Sequence, residues 1–276
     1  MTDFGPARRR AIAAVAALAL LSGGAAEGAK KRKKAPEPTP VPRPADPFRV
    51  TIPTADGVAL AASWRPVEGD AKAPGVLLIH DFSRERRELE PLARELGAAG
   101  FATLSIDLRA HGESTKKNGA FLPISPRLLT DPNGFPRDVE AAARWLRTRA
   151  PHTAALGLST GGFLALLAAA RGQLDTAVAV SVNEPRIAGL AGPAAPVPRS
   201  VFFLACEADP GRASSARRLM AAAKEPKRVL LFPGAAHNLA VLREHPEAMQ
   251  EILAWLAERL GVPAPAASRP PATLPK

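Results

Sequence analysis

Cysteine, clustered metal ligands and membrane-length apolar runs are all missing or scarce in this 276-residue chain. Its single cysteine, Cys206, excludes an internal disulfide, so cysteine usage says nothing about redox compartment. No cysteine follows the apolar run near the N-terminus, which leaves a lipoprotein unsupported. The five histidines are dispersed without ligand spacing, so a metal centre has no sequence support. No glycine-rich phosphate loop opens the first predicted helix, and no internal repeat is visible. The apolar stretch from Ala11 to Leu21 falls short of the roughly 20 residues that a membrane-spanning helix needs.

What is present is 46% hydrophobic residues, enough for one large α/β domain with a substantial core. The formal charge of +11 is uneven: residues 1–47 hold nine Lys/Arg against four Asp/Glu, net +5, leaving +6 for the rest. The body is therefore only mildly basic.

Arg8, Arg9 and Arg10 precede the apolar run, and the small residues SGGAAEGA follow it, which is the layout of a secretory signal. KKRKK at 30–34 and APEPTPVPRPADP at 35–47 read as a solvated basic patch and a stiff extended linker. The pattern predicts a signal peptide over 1–29, a linker over 30–47, a folded domain over 48–262 and a disordered tail over 263–276. The expected destination is the periplasm or the medium. Positive charge directly after the apolar run opposes the asymmetry that orients export, so an uncleaved inner-membrane anchor is the alternative. No aromatic residues interleave the basic patch, which suits it to peripheral contact with an anionic envelope rather than to nucleic acid.

From Pro47 onward β-like and helix-like segments alternate. Phe48–Ile52 and Val58–Trp64 flank the turn signal TADG, and Gly75–His80, 101–107, Thr153–Leu158, 176–182, 200–206 and 228–233 supply six further strands. Helices fit within 85–99, over 138–149, 162–170 and 212–223, and over 246–260. The alternation predicts a mostly parallel, eight-stranded sheet with an antiparallel start, covered by helices on both faces.

In such a sheet ligands gather where strands end. His80-Asp81-Phe82 follows the third strand, Asp107 to Gly112 the fourth, Ser159 the fifth, Asn183-Glu184 the sixth, Glu207 to Asp209 the seventh and His237-Asn238 the eighth. Ser159 lies in G-x-S-x-G, where neighbours without side chains permit a sharp strand-to-helix turn that lifts the hydroxyl above the sheet edge. A serine hydroxyl becomes nucleophilic when an imidazole takes its proton and a carboxylate fixes that imidazole's tautomer. Ser159, Asp209 and His237 supply the three. Glu184 is the rival acid, and Asp209 is favoured because the loop CEADPGR aims a short carboxylate beside the histidine loop. His80 and His111 read as structural residues of their loops, His152 as a surface residue, and His245 as the start of the last helix.

This order of serine, acid and histidine resembles the α/β-hydrolase superfamily, in its serine esterase or lipase-like form with a minimal cap. The likeness spans roughly Phe48–Leu260. GLSTGG resembles the nucleophile elbow, IDLRAHGES the D-x-R-G-H-G-x-S segment after the fourth strand, and FPGAAHN the histidine loop. Two residues depart from the pattern: Asp81 stands where many relatives have glycine, and Ala110 replaces the usual glycine. The resemblance implies an α/β-hydrolase fold and a small-molecule ester cleaved through an acyl-enzyme on Ser159. It also implies an oxyanion hole formed by the backbone N–H groups of Phe82 and Thr160, with no cofactor and no metal. A thioesterase, peptidase or acyltransferase would use the same triad, and a non-catalytic envelope-binding protein is the alternative from another class. Residues 185–199 are too few for a large lid, so an open cleft for short-chain soluble esters is expected. Phe121, Leu122 and Ile124 in the long connection 113–137 either line that cleft or pack the loop down.

Overall fold

Strands buried on both faces read as unbroken apolar runs, and GVLLI, TAALGL and TAVAV do so because helices cover both sides of the sheet they form. The computed structural model describes residues 44–192 and 197–262, so the signal-peptide reading, residues 30–43 of the expected linker and the C-terminal tail lie outside the described residues. The strands are β1 (Arg49–Pro53), β2 (Ala59–Arg65), β3 (Gly75–Ile79), β4 (Ala102–Ile106), β5 (Thr153–Leu158), β6 (Thr176–Val180), β7 (Arg199–Cys206) and β8 (Lys224–Phe232). They form one sheet in the order β1-β2-β4-β3-β5-β6-β7-β8. β2 pairs antiparallel with both β1 and β4, and every other pairing is parallel. This is the expected eight-stranded sheet with its antiparallel start.

The helices are α1 (Glu90–Ala98), α2 (Phe135–Arg147), α3 (Thr160–Ala170), α4 (Glu184–Ile187), α5 (Pro210–Ala222), α6 (Leu239–Glu244) and α7 (Pro246–Leu260). Side chains alternate across the sheet with period two. Leu77 and Ile79 of β3, with Val201 and Phe203 of β7, enter the core shared with α2, α3 and α5. Val76 and Leu78, with Phe202 and Leu204, enter the core shared with α1, α6 and α7. α3 is buried from Thr160 to Ala169, which explains why its sequence is apolar all round rather than along one stripe.

The chain leaves β3 for β4 on one side of the sheet and later returns to add β5 on the other. The strand order therefore reverses between β3 and β5, and crevices at such a reversal are where ligands bind. β3 ends at Ile79, just before Asp81-Phe82, and β5 ends at Leu158, just before Ser159.

Charged groups lock the loops around that crevice. The Arg86 guanidinium is fully buried, reaches Asp107 and Ser63, and pairs with Asp46 and Glu113. Asp107 also accepts the Arg86 and Glu113 backbone N–H groups, at 2.7 and 2.8 Å. Asp46 was expected at the end of the linker. It accepts from the Phe48 N–H and the Ser63 hydroxyl, which ties it to the domain that follows.

Candidate active site

Three glycines create the turn at Ser159 by allowing backbones to approach where a Cβ would collide. A Cβ on Gly157 would lie 2.1 Å from the Gly161 carbonyl oxygen, and one on Gly161 would lie 2.2 Å from that of Ile79. One on Gly162 would press into Val182 at 2.8 Å. The close approach puts Ser159 at φ +48°, ψ −108°, a left-handed conformation that a non-glycine residue holds only where the surroundings enforce it. Its N–H donates to the Val180 carbonyl at 2.8 Å, and its carbonyl accepts from Phe163 N–H at 3.1 Å, opening α3. The hydroxyl itself has no hydrogen-bond partner among the described residues.

The loop after β3 is fixed from beneath. Two buried imidazoles do this: His80 Nε2 accepts from Leu108 N–H at 3.0 Å, and His111 Nε2 accepts from Ser83 N–H at 3.0 Å. Burial pushes His80 down to about 4 and His111 below its usual range, so both are neutral and hold backbone, as structural residues do. Phe82 packs edge-on against His111 and Phe135.

At the top of this loop the N–H of Phe82 donates to Asp81 Oδ1 at 2.7 Å, and the N–H of Thr160 donates to the same oxygen at 3.2 Å. The two donors named from sequence thus converge on a single anionic oxygen. Oδ2 of the same carboxylate accepts from Asn238 Nδ2 at 3.0 Å and lies 4.0 Å from His237 Nε2. Asp81 thus has one oxygen on the two backbone donors and the other toward the imidazole.

His237 stands on the loop after β8, half exposed, with Nδ1 3.8 Å from Asp209 Oδ2. That separation is longer than a hydrogen bond, and Nδ1 is buried without a hydrogen-bond partner. The other Asp209 oxygen accepts from Arg212 at 3.0 Å. Burial and the nearby Arg212 charge hold the imidazole below its ordinary value, against the pull of Asp81 and Asp209. Glu184 faces elsewhere, pairing with Arg218 of α5 at 3.3 Å.

Two clefts meet at Asp81. One, of about 220 Å³, is walled by Ser159, Phe82, Leu129, Asn183, Arg186 and Ile187, with Arg212 at its edge. The other, of about 290 Å³, holds His237 and Asn238 with Arg84 and Arg243. In the connection 113–137, Leu122 packs on the α2–α3 core and Ile124 is 49% exposed. Leu129, from the same connection, lines the cleft instead. Sequence reasoning passed over Leu129, Arg186 and Arg212. These residues belong to no motif: Arg186 and Arg212 follow strand ends, and Leu129 lies within the long connection 113–137.

Residues 76–199 match the alpha/beta hydrolase family. Among curated proteins, an uncharacterised 31.7 kDa protein of the traX–finO intergenic region of Escherichia coli is 39% identical over 69 residues. That stretch covers 25% of this chain and 23% of the relative, so the match spans under a quarter of the relative's length. Among solved structures, a Pyrococcus furiosus esterase superposes with a TM-score of 0.61 at 18% identity, covering 77% of this chain and 92% of that one. A Xanthomonas campestris protein described as a serine hydrolase without a lid gives 0.59 at 19%, covering 83% and 100%. Butyrivibrio proteoclasticus Est1E, solved with ferulic acid, gives 0.61 at 17%, covering 77% and 99%.

Proposed function

From a chain that has the α/β-hydrolase fold and matches that family over residues 76–199, we propose a serine hydrolase that cleaves short-chain, soluble carboxylic esters through an acyl-enzyme on Ser159. The observation that carries this reading is the convergence of Phe82 N–H and Thr160 N–H on one anionic oxygen beside a serine in a left-handed turn. Backbone donors aimed at a fixed point are what a tetrahedral intermediate needs, and losing one such donor costs about 10² to 10³ in rate.

In the reaction the ester carbonyl oxygen takes the place of Asp81 Oδ1, and the positive end of α3 adds to the stabilisation of its charge. Ser159 Oγ attacks the carbonyl carbon while His237 takes the hydroxyl proton, and the imidazolium returns that proton to the departing alkoxide. Water then repeats the sequence to free the acid. Asp209 fixes the imidazole through Nδ1, and the present 3.8 Å closes as substrate binds, since catalytic hydrogen bonds commonly tighten only in the substrate complex. The esterase name of the similar P. furiosus structure favours an ester over a thioester or peptide bond.

Among the described residues the connection from β6 to β7 adds only α4 and one further helical turn, Ala188–Ala191, which favours an open cleft, and the lidless description of the X. campestris protein agrees with this. p-Nitrophenyl esters of increasing chain length test the reading. We expect kcat/KM to peak at short acyl chains without interfacial activation, and a steady rise through the longest chains, or a jump above the micellar concentration, contradicts it. Asp81 filling the oxyanion position favours one competing reading, a catalytically silent envelope-binding protein, which requires that no ester in the series is turned over. The proposed export has its own test. Envelope-derived protein should begin after Ala25, Ala26 or Ala29, whereas intact Met1 in a membrane fraction indicates the anchor.

A further inference from the structure

The two clefts have different tasks in an acyl transfer. His237 must protonate the leaving oxygen, so the alcohol departs through the cleft that holds His237, Arg84 and Arg243. The acyl chain then lies in the cleft beyond Ser159. Leu129 and Ile187 give that cleft a short apolar wall, enough for a few methylenes.

The rest of its lining is rich in hydrogen-bond donors without acceptors. Among the described residues the Arg186 guanidinium has no hydrogen bond or ion pair, and the Asn183 side-chain amide has no hydrogen bond. Arg212 gives one nitrogen to Asp209 but keeps Nε buried and unpartnered. Two arginines thus line the cleft against the single carboxylate of Asp81. Arginine's planar fork matches a carboxylate better than any neutral group, and charge-assisted hydrogen bonds of this kind are about twice as strong as neutral ones.

Resting on the serine-hydrolase reading above, we propose that the acyl cleft recognises a short chain ending in a carboxylate, so that the substrates are hemi-esters of dicarboxylic acids. Arg186 is the specificity-determining residue, with Asn183 and Arg212 completing the donor set. Attack by Ser159 leaves a hemi-acyl enzyme whose free carboxylate stays on Arg186. Water then releases the dicarboxylic acid, and the alcohol leaves with the proton carried by His237.

The test compares mono-p-nitrophenyl glutarate with p-nitrophenyl valerate, which share leaving group and chain length and differ in the terminal carboxylate. Rates are corrected with Ser159→Ala, because the glutarate carboxylate also attacks its own ester. At low salt the anionic ester should be preferred about tenfold or more in kcat/KM, the preference should shrink as salt is added, and Arg186→Gln should abolish it. A preference for valerate, or a ratio that Arg186→Gln leaves unchanged, overturns the proposal. Calorimetric titration with free glutarate gives a readout that does not need turnover. Binding by the native chain that is lost in Arg186→Gln supports the carboxylate site in the cleft even if neither ester is cleaved, in which case the hydrolase reading fails and takes with it the assignment of hemi-esters as substrates. Absence of glutarate binding overturns the cleft assignment even if valerate is cleaved well.

Discussion

The serine half of the site is built from backbone, and the histidine half from side chains. Ser159 is held by glycines packed so closely that no Cβ fits, with Thr160 and Phe82 amides fixed by α3 and by two buried imidazoles. His237 is 36% exposed on a surface loop, its Nδ1 unpartnered and 3.8 Å from the nearest carboxylate oxygen. The difference teaches where pre-organisation is strict. Donors for a developing charge must be in place beforehand, because their reorganisation would add to the barrier, whereas a proton relay can close when substrate excludes water.

If both halves act as one unit, their losses are not additive. Ser159→Ala and His237→Ala should each lower kcat by about 10⁴-fold or more, and the double variant should fall little further. Additive losses in steady-state assays would separate the halves. Asp209→Asn sharpens the comparison on the histidine side, with an expected loss of about 10³ to 10⁴-fold while the fold is kept. Glu184→Gln should change little, because Glu184 pairs with Arg218 away from the imidazole, and a large loss there would move the acid to the end of β6.

Asp81 is the residue shared by the two halves, and removing its carboxylate should raise activity. A ligand competing from within the chain lowers apparent affinity by the fraction of molecules it occupies, so Asp81→Gly should increase kcat/KM about tenfold, mainly through KM. A fall in kcat would instead make the carboxylate part of the chemistry. The smallest expected effect is on the pH profile. In the proposed reaction neutral His237 is the base, and burial beside Arg212 lowers its value. Activity should therefore persist as pH falls below the usual histidine range near 6.5 before it declines, whereas an acid limb above that point contradicts the assigned environment.

The central strands were legible because burial on both faces leaves nothing but apolar runs, and the Thr153–Leu158 strand and the Pro246–Leu260 helix fall where their patterns end. The turn at Ser159 was legible because only glycine permits its close approaches. β8 was less so: it begins at Lys224 rather than 228, as its first residues are polar and continue an edge strand through parallel pairing with β7. α4 and α6 are too short to show a helical period. Asp81 was visible as a departure from the glycine pattern, but nothing in its sequence context places the Phe82 and Thr160 N–H groups on its carboxylate. Arg186 carries no signal in its neighbours: it is an exposed arginine, and only the fold puts it in the wall of the cleft that holds Ser159.

The account rests on an activated hydroxyl at Ser159, and a fluorophosphonate reports that activation without knowledge of the substrate. The folded protein should take up one probe, mapped by tandem mass spectrometry to Ser159, with labelling lost in Ser159→Ala and His237→Ala and accelerated in Asp81→Gly. A folded native chain that stays unlabelled, or carries the probe on another residue, contradicts it.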